Sequence, residues 1–268
     1  MLNLEQIFDQ YPPHLRGYTR AILREYLQVK ILQGIFESKQ ASLVTFIGGT
    51  ALRIIHDNQR FSEDIDLDHF GMDWSKFDQM IHKVARFMKL EGFEVEINSV
   101  TKGAYHCYLR FPDLLYAQGL SPHLGQKLLI RVDSAAQGYT YQPEVRILNK
   151  FDTFTEVRVA PLNLLLSHKL YTAINRKRPK GRDYFDITFL LGRTKPDYGF
   201  LVQKMGINSP EDLRQAILER IVAYDFEALA RDVEPFLIDQ AQVKRVKLFR
   251  TYWEQVDIAD SRKVKGES

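Results

Sequence analysis

Leu43-Val44-Thr45-Phe46-Ile47-Gly48-Gly49-Thr50 and Asp64-Ile65-Asp66-Leu67-Asp68 are the two stretches on which the reading of this chain turns. The first is a β-branched and aromatic run that breaks at a glycine pair, the pattern of a buried strand entering a tight turn. Thr50 then suits the cap of a helix reaching about His56. The second alternates acid with apolar residues, the period of a strand, over Asp64 to Phe70. On such a strand Asp64, Asp66 and Asp68 project from one face, and Ile65 and Leu67 anchor the other. Three carboxylates crowded together repel one another, so stability does not account for them. A divalent cation relieves the repulsion, and Mg²⁺ takes hard oxygen ligands from one or two carboxylates plus substrate phosphates. Glycines let backbone approach a ligand closely, and a helix N-terminus offers N–H groups and partial positive charge to phosphate. Gly48, Gly49 and Thr50 are therefore a candidate phosphate cradle, and Asp64 and Asp66 are candidate metal ligands. Either stretch alone reads more readily as a solvated acidic face or an ordinary strand–turn–helix. The two together, in this order, favour a site.

Working outward, Tyr18 to Ser38 carries apolar residues at helical spacing, from Ile22 and Leu23 through Ile35 and Phe36. Ser75 to Leu90 repeats that pattern. Phe93 to Ile97, Tyr105 to Phe111 and Lys127 to Val132 read as strands, and Glu144 to Val159 as two short strands with a turn. After about residue 160 nearly everything reads as helix. Pro161 suits the first turn of a helix to Asn175, followed by helices at Arg182 to Leu191, Pro210 to Tyr224, Asp225 to Glu234 and Ala241 to Asp257. The end, Ser261 to Ser268, is polar. The expected organisation is an α/β domain over 1–160 and a helical C-terminal domain over 161–268.

The bulk properties fit a water-soluble catalyst or binding protein. Of 268 residues, 45% are hydrophobic and 26% charged, with a formal net charge of +3 that does not by itself mark a nucleic-acid binder. One cysteine, Cys107, excludes an intramolecular disulfide and a cysteine zinc cluster. The first residues lack a signal-peptide apolar core, and no apolar run is long enough to span a bilayer. The expected location is cytoplasmic, with no membrane partner.

Two ordered motifs carry a family resemblance. Phe46-Ile47-Gly48-Gly49-Thr50-Ala51-Leu52 with Arg60-Phe61-Ser62-Glu63-Asp64-Ile65-Asp66-Leu67 resembles the AbiEii/AbiGii toxin family of nucleotidyltransferases, within the DNA-polymerase-β-like superfamily. Leu166-Ser167-His168-Lys169-Leu170 with Arg178-Pro179-Lys180-Gly181-Arg182-Asp183-Tyr184-Phe185-Asp186-Ile187 agrees with it. The resemblance implies an α/β (α+β) nucleotidyltransferase fold with a mixed sheet and a helical C-terminal part. It implies Mg²⁺ on Asp64 and Asp66, with an NTP as substrate. It also implies a toxin paired with an antitoxin protein, some members acting on the 3′ end of tRNA. The superfamily's third carboxylate matches Asp133 in Leu129-Ile130-Arg131-Val132-Asp133, although Asp133 is expected near a strand end. In the implied mechanism an acceptor hydroxyl displaces pyrophosphate in line, with Asp133 as metal ligand and possible base.

Lys169 sits in an otherwise apolar helix. It reads either as a neutraliser of triphosphate charge, which the resemblance favours, or as a lysine whose stem packs on neighbours. Asp183 and Asp186 share one helix face. They could position Lys169 or Arg182, contact the nucleotide, or simply favour a helix N-terminus. Arg176-Lys177-Arg178-Pro179-Lys180-Gly181-Arg182 is the densest basic run, and Lys244-Arg245-Lys247-Arg250 is a second. Both suit an RNA backbone or a solvated surface. Tyr139 and Tyr141 alternate as on a strand and could stack a base. Transfer to a small molecule or protein, and a non-catalytic nucleotide-binding module, are the competing functions.

Overall fold

The computed structural model describes residues 2–259, so the polar end at Ser261 to Ser268 lies outside the described residues. The chain forms two compact units. The first comprises the described residues within Met1–Asp57, Phe61–Gly138 and Pro143–Val159. The second comprises Asn58–Arg60, Tyr139–Gln142 and the described part of Ala160–Ser268. Two short segments, on either side of the acidic strand in sequence, thus group with the helical part.

The first unit holds a seven-stranded mixed sheet: β1 (Val44–Ile47), β2 (Ile65–His69), β3 (Glu96–Thr101), β4 (Tyr105–Phe111), β5 (Leu128–Ala135), β6 (Glu144–Lys150) and β7 (Thr153–Val159). The order is β3-β4-β5-β2-β1-β7-β6. β2 runs parallel to β5 and β1 parallel to β7, while β1–β2, β3–β4, β4–β5 and β6–β7 are antiparallel. Ile65 and Leu67 are buried from one face of β2, as alternation requires. The Thr19–Phe36 helix packs against β7 and the Trp74–Leu90 helix. The latter is capped by the Asp73 side chain, which accepts from Lys76 N.

Three expectations need correction here. Thr50 does not cap its helix: the helix begins at Gly48 and runs to His56, with Thr50 inside its first turn and no side-chain cap. Asp133 is not at a strand end, because β5 continues through Ser134 to Ala135 by pairing with both β2 and β4. Tyr139 and Tyr141 lie on no strand. The Tyr139 hydroxyl donates to Asp197 at 3.0 Å and its ring meets Phe200 edge-on, a packing role within the second unit.

The second unit is helical: Leu162–Asn175, Gly181–Leu191, Tyr198–Met205, Pro210–Ile221, Phe226–Val233, Lys244–Lys247 and Phe249–Gln255. Pro161 stands at the cap of the first rather than within its first turn. The single helix expected over Ala241 to Asp257 is instead a 3-10 turn and two short helices broken at Leu248. The break brings Phe249 4.8 Å from the Tyr184 ring and stacks it on Phe226 and Trp253. Burying those rings outweighs an uninterrupted helical ladder. No helix among the described residues is long and apolar enough to cross a membrane.

Candidate active site

The acidic strand acquires its geometry from its neighbours. In the parallel β2–β5 ladder Asp66 lies directly opposite Asp133. Registered residues share a face, and Asp64, one residue before β2, is tied to Asp133 through Arg131, so Asp64, Asp66 and Asp133 form one carboxylate group. Asp68 departs from it. It is 1% exposed, and its carboxylate accepts the Gln137 N–H at 2.9 Å, holding the chain where it leaves β5.

Two basic side chains from the same sheet engage the carboxylates. Arg131, two residues before Asp133, donates from Nη2 to Asp64 Oδ2 at 2.9 Å, and its Nε lies 2.9 Å from Asp133 Oδ2. Burial pulls the Arg131 guanidinium down, but Asp64, Asp133 and Asp66 together outweigh it and hold the group above its ordinary value. His106 on β4, registered opposite Asp133, places Nδ1 2.8 Å from Asp133 Oδ1. Sequence reading attached no role to either residue. Arg131 was legible from its period-2 spacing to Asp133, whereas His106 becomes visible only through strand pairing.

A hard-oxygen donor set suits Mg²⁺, and Asp64, Asp66 and Asp133 supply one on a partly exposed face. Among the described residues, however, no three His, Cys, Asp or Glu side chains converge as a preformed metal cage. A site of one or two carboxylates completed by phosphate oxygens does not need such a cage.

The glycine turn is fitted to the acidic strand. Gly48 has φ of 78°, and a β-carbon there would meet the Asp66 carboxylate and lie 2.8 Å from Asp66 Cβ. Thr50 is fully buried, and its hydroxyl donates to the Asp64 carbonyl oxygen. The hydroxyl expected for phosphate is thus committed to holding the loop that carries Asp64. Gly49 and Thr50 lie in the helix's first turn, where N–H groups have no intrahelical acceptor.

The remaining candidates lie in the second unit. Asp186 is wholly buried. Its Oδ1 accepts from Asn58 and from Arg60 Nε, both at 2.7 Å, its Oδ2 accepts from Arg60 Nη2 at 2.6 Å, and Lys169 Nζ is 2.8 Å away. Burial alone would raise its pKa, but Arg60 and Lys169 lower it to about 2. Asp183, also buried, lies 3.4 Å from Lys169 Nζ and 3.4 Å from Arg176 Nε. Both carboxylates thus lie within ion-pair reach of Lys169, which remains 15% exposed. Gly181 is required by close approach. A β-carbon there would strike the Leu229 carbonyl, and Gly181 N donates to Asp232 at 2.9 Å. Arg182 is partly buried at the start of the same helix.

In the basic run, Lys177 and Arg178 are exposed, and Arg176 and Lys180 are half-buried. In the second cluster Arg245, Lys247 and Arg250 have partners within their own unit. Arg250 donates to the Ile221 and Val222 carbonyls, Lys247 pairs with Glu227 at 2.7 Å, and Arg245 Nε donates to Gln242. It therefore gives little support to an RNA surface. Cys107 is buried, and burial pushes its thiol up to about 11.

Comparison with known proteins accords with this geometry. The family model described as nucleotidyl transferase AbiEii toxin, type IV toxin–antitoxin system, matches residues 30–257. Among solved structures, JHP933 from Helicobacter pylori is 17% identical with a TM-score of 0.51, covering 88% of this chain and 94% of that one. A candidate nucleotidyltransferase from H. pylori is 14% identical with a TM-score of 0.53, covering 88% and 97%. These two likenesses show the fold. No curated protein matches the chain. The chain belongs to the AbiEii nucleotidyltransferase toxin family of type IV toxin–antitoxin systems.

Proposed function

We propose that this chain transfers a nucleoside monophosphate from an NTP to the 3′ end of a tRNA, as the toxin of a pair whose antitoxin is a separate protein. The observation that carries the chemistry is the register of Asp66 against Asp133, beside a glycine turn shaped to Asp66. Asp64, Asp66 and Asp133 are the residues that would hold Mg²⁺, which when bound neutralises the charge of the triphosphate and its leaving group. The first-turn N–H groups of Gly49 and Thr50 suit a phosphate oxygen. In the transfer, the acceptor hydroxyl oxygen bonds to the α-phosphorus while the bond to pyrophosphate breaks. Asp133 takes the hydroxyl proton, and His106, whose Nδ1 lies 2.8 Å from Asp133 Oδ1, orients the carboxylate for that step. Lys169, between Asp183 and Asp186 in the second unit, is the cation that the family resemblance assigns to triphosphate charge. Exposed Lys177 and Arg178, with Arg176 and Lys180 beside them, support a polynucleotide acceptor.

The test is incubation of the purified protein with total bacterial RNA, Mg²⁺ and each labelled NTP in turn, beside Asp66→Ala. A labelled tRNA-sized product absent from the variant is the expected result. Label on protein or on a small molecule would move the acceptor. No transfer with any nucleotide would leave a binding module.

A further inference from the structure

We propose that Arg131 is a built-in counter-ion of the carboxylate group, competing with divalent metal for Asp64 and Asp133 so that metal loads productively only together with the nucleotide. This rests on the metal reading above and adds a control to the same site. Arg131 stands two residues before Asp133 on β5, so alternation puts the two side chains on one face. Its planar guanidinium reaches from β5 to the residue before β2, with Nη2 2.9 Å from Asp64 Oδ2 and Nε 2.9 Å from Asp133 Oδ2. Those two oxygens belong to the donor set that a metal would take. Asp133 Oδ1 is engaged by His106, so both oxygens of Asp133 already have a cationic or donor partner.

Two features make this arrangement exchangeable. The Arg131 side chain is 38% exposed, so it can swing on its stem without repacking a core. A displaced guanidinium also has a ready new partner in a phosphate group, which matches its fork. Metal alone must displace Arg131 with no compensation. Metal with a triphosphate supplies the compensating anion.

The test is Mn²⁺ binding to the full chain without nucleotide, followed by the spin resonance of free Mn²⁺, for the wild type and Arg131→Gln. Melting temperatures are measured in parallel in chelator and in Mn²⁺. The expected result is a dissociation constant about tenfold lower in the variant. The variant should also melt lower than wild type in chelator, where the carboxylates repel unopposed, and the gap should close in Mn²⁺. If Arg131→Gln does not fold, Arg131→Lys replaces it, keeping the charge but not the fork, and tighter Mn²⁺ binding is again expected. Wild type that binds Mn²⁺ and a variant that binds it no more tightly would overturn the role of Arg131 alone. Mn²⁺ binding by neither protein would overturn the metal reading and this inference with it.

Discussion

Gly48 and Asp66 share space that leaves no room for a β-carbon on the glycine, and Gly48 holds a φ of 78° that disfavours any other residue. The turn and the acidic strand are therefore one device, and Gly48→Ala should act on both. Strain at a positive φ costs about 1–3 kcal/mol. Displacing a reacting group by about 1 Å costs roughly a hundredfold in rate. A thermal melt and labelled-nucleotide incorporation should show a modest loss of stability beside a far larger loss of transfer.

Asp66→Asn should separate stability from activity more sharply still. It removes one member of a repelling carboxylate group, so in chelator Asp66→Asn should melt no lower than wild type. Transfer should fall by about two orders of magnitude or more, because metal-borne charge stabilisation is worth several kcal/mol. A variant that melts much lower would mean the carboxylates serve the fold.

Asp186 is the opposite case. Asp186→Asn would leave Arg60 and Lys169 without their shared counter-charge inside the second unit. Breaking a buried pair in this way costs about 3–5 kcal/mol. Asp183→Asn should cost less, since its distances to Lys169 and Arg176 are both 3.4 Å. Chemical denaturation of both variants orders them, and equal losses would contradict the assigned roles.

His168 supplies a pH dependence. Burial lowers its pKa to about 4, with Lys204 and Lys169 adding to the effect, and its ring lies 4.7 Å from Phe200. The unfolded chain takes up the proton at its ordinary value of about 6.5, before the folded chain does. Stability is therefore full above about 6.5 and is lost as pH falls toward about 4. Denaturation midpoints across that window should fall in the wild type and flatten in His168→Gln.

The basic run should matter to the acceptor and not to the fold. Joint replacement of Lys177, Arg178 and Lys180 by alanine should change stability by no more than about 0.5 kcal/mol. It should raise KM for RNA and reduce the salt dependence of RNA binding, by about one unit of slope for each phosphate that is no longer neutralised. Unchanged RNA kinetics would make the run a solvated surface.

Local pattern alone determined a good deal of this molecule. The β-branched run before Gly48-Gly49 and the alternation from Asp64 to Asp68 indicated the strands and the turn, because strand period and glycine freedom are properties of neighbouring residues. The two motifs carried the family, and helical periodicity found most of the second unit. Tertiary structure decided which of those residues meet. Asp66 faces Asp133, and Arg131 and His106 hold the carboxylates, because parallel and antiparallel register joins segments far apart in the chain. The Asp68 carboxylate and the Thr50 hydroxyl make structural hydrogen bonds whose partners, Gln137 and the Asp64 carbonyl, no local period specifies. Asp186 became an interior anchor once Asn58 and Arg60 closed on it. A carboxylate on an amphipathic helix reads the same whether it ends in solvent or beside a guanidinium. Only long-range packing sets its desolvation and its counter-charge, and those two quantities decide whether it binds metal, positions a lysine or holds the fold.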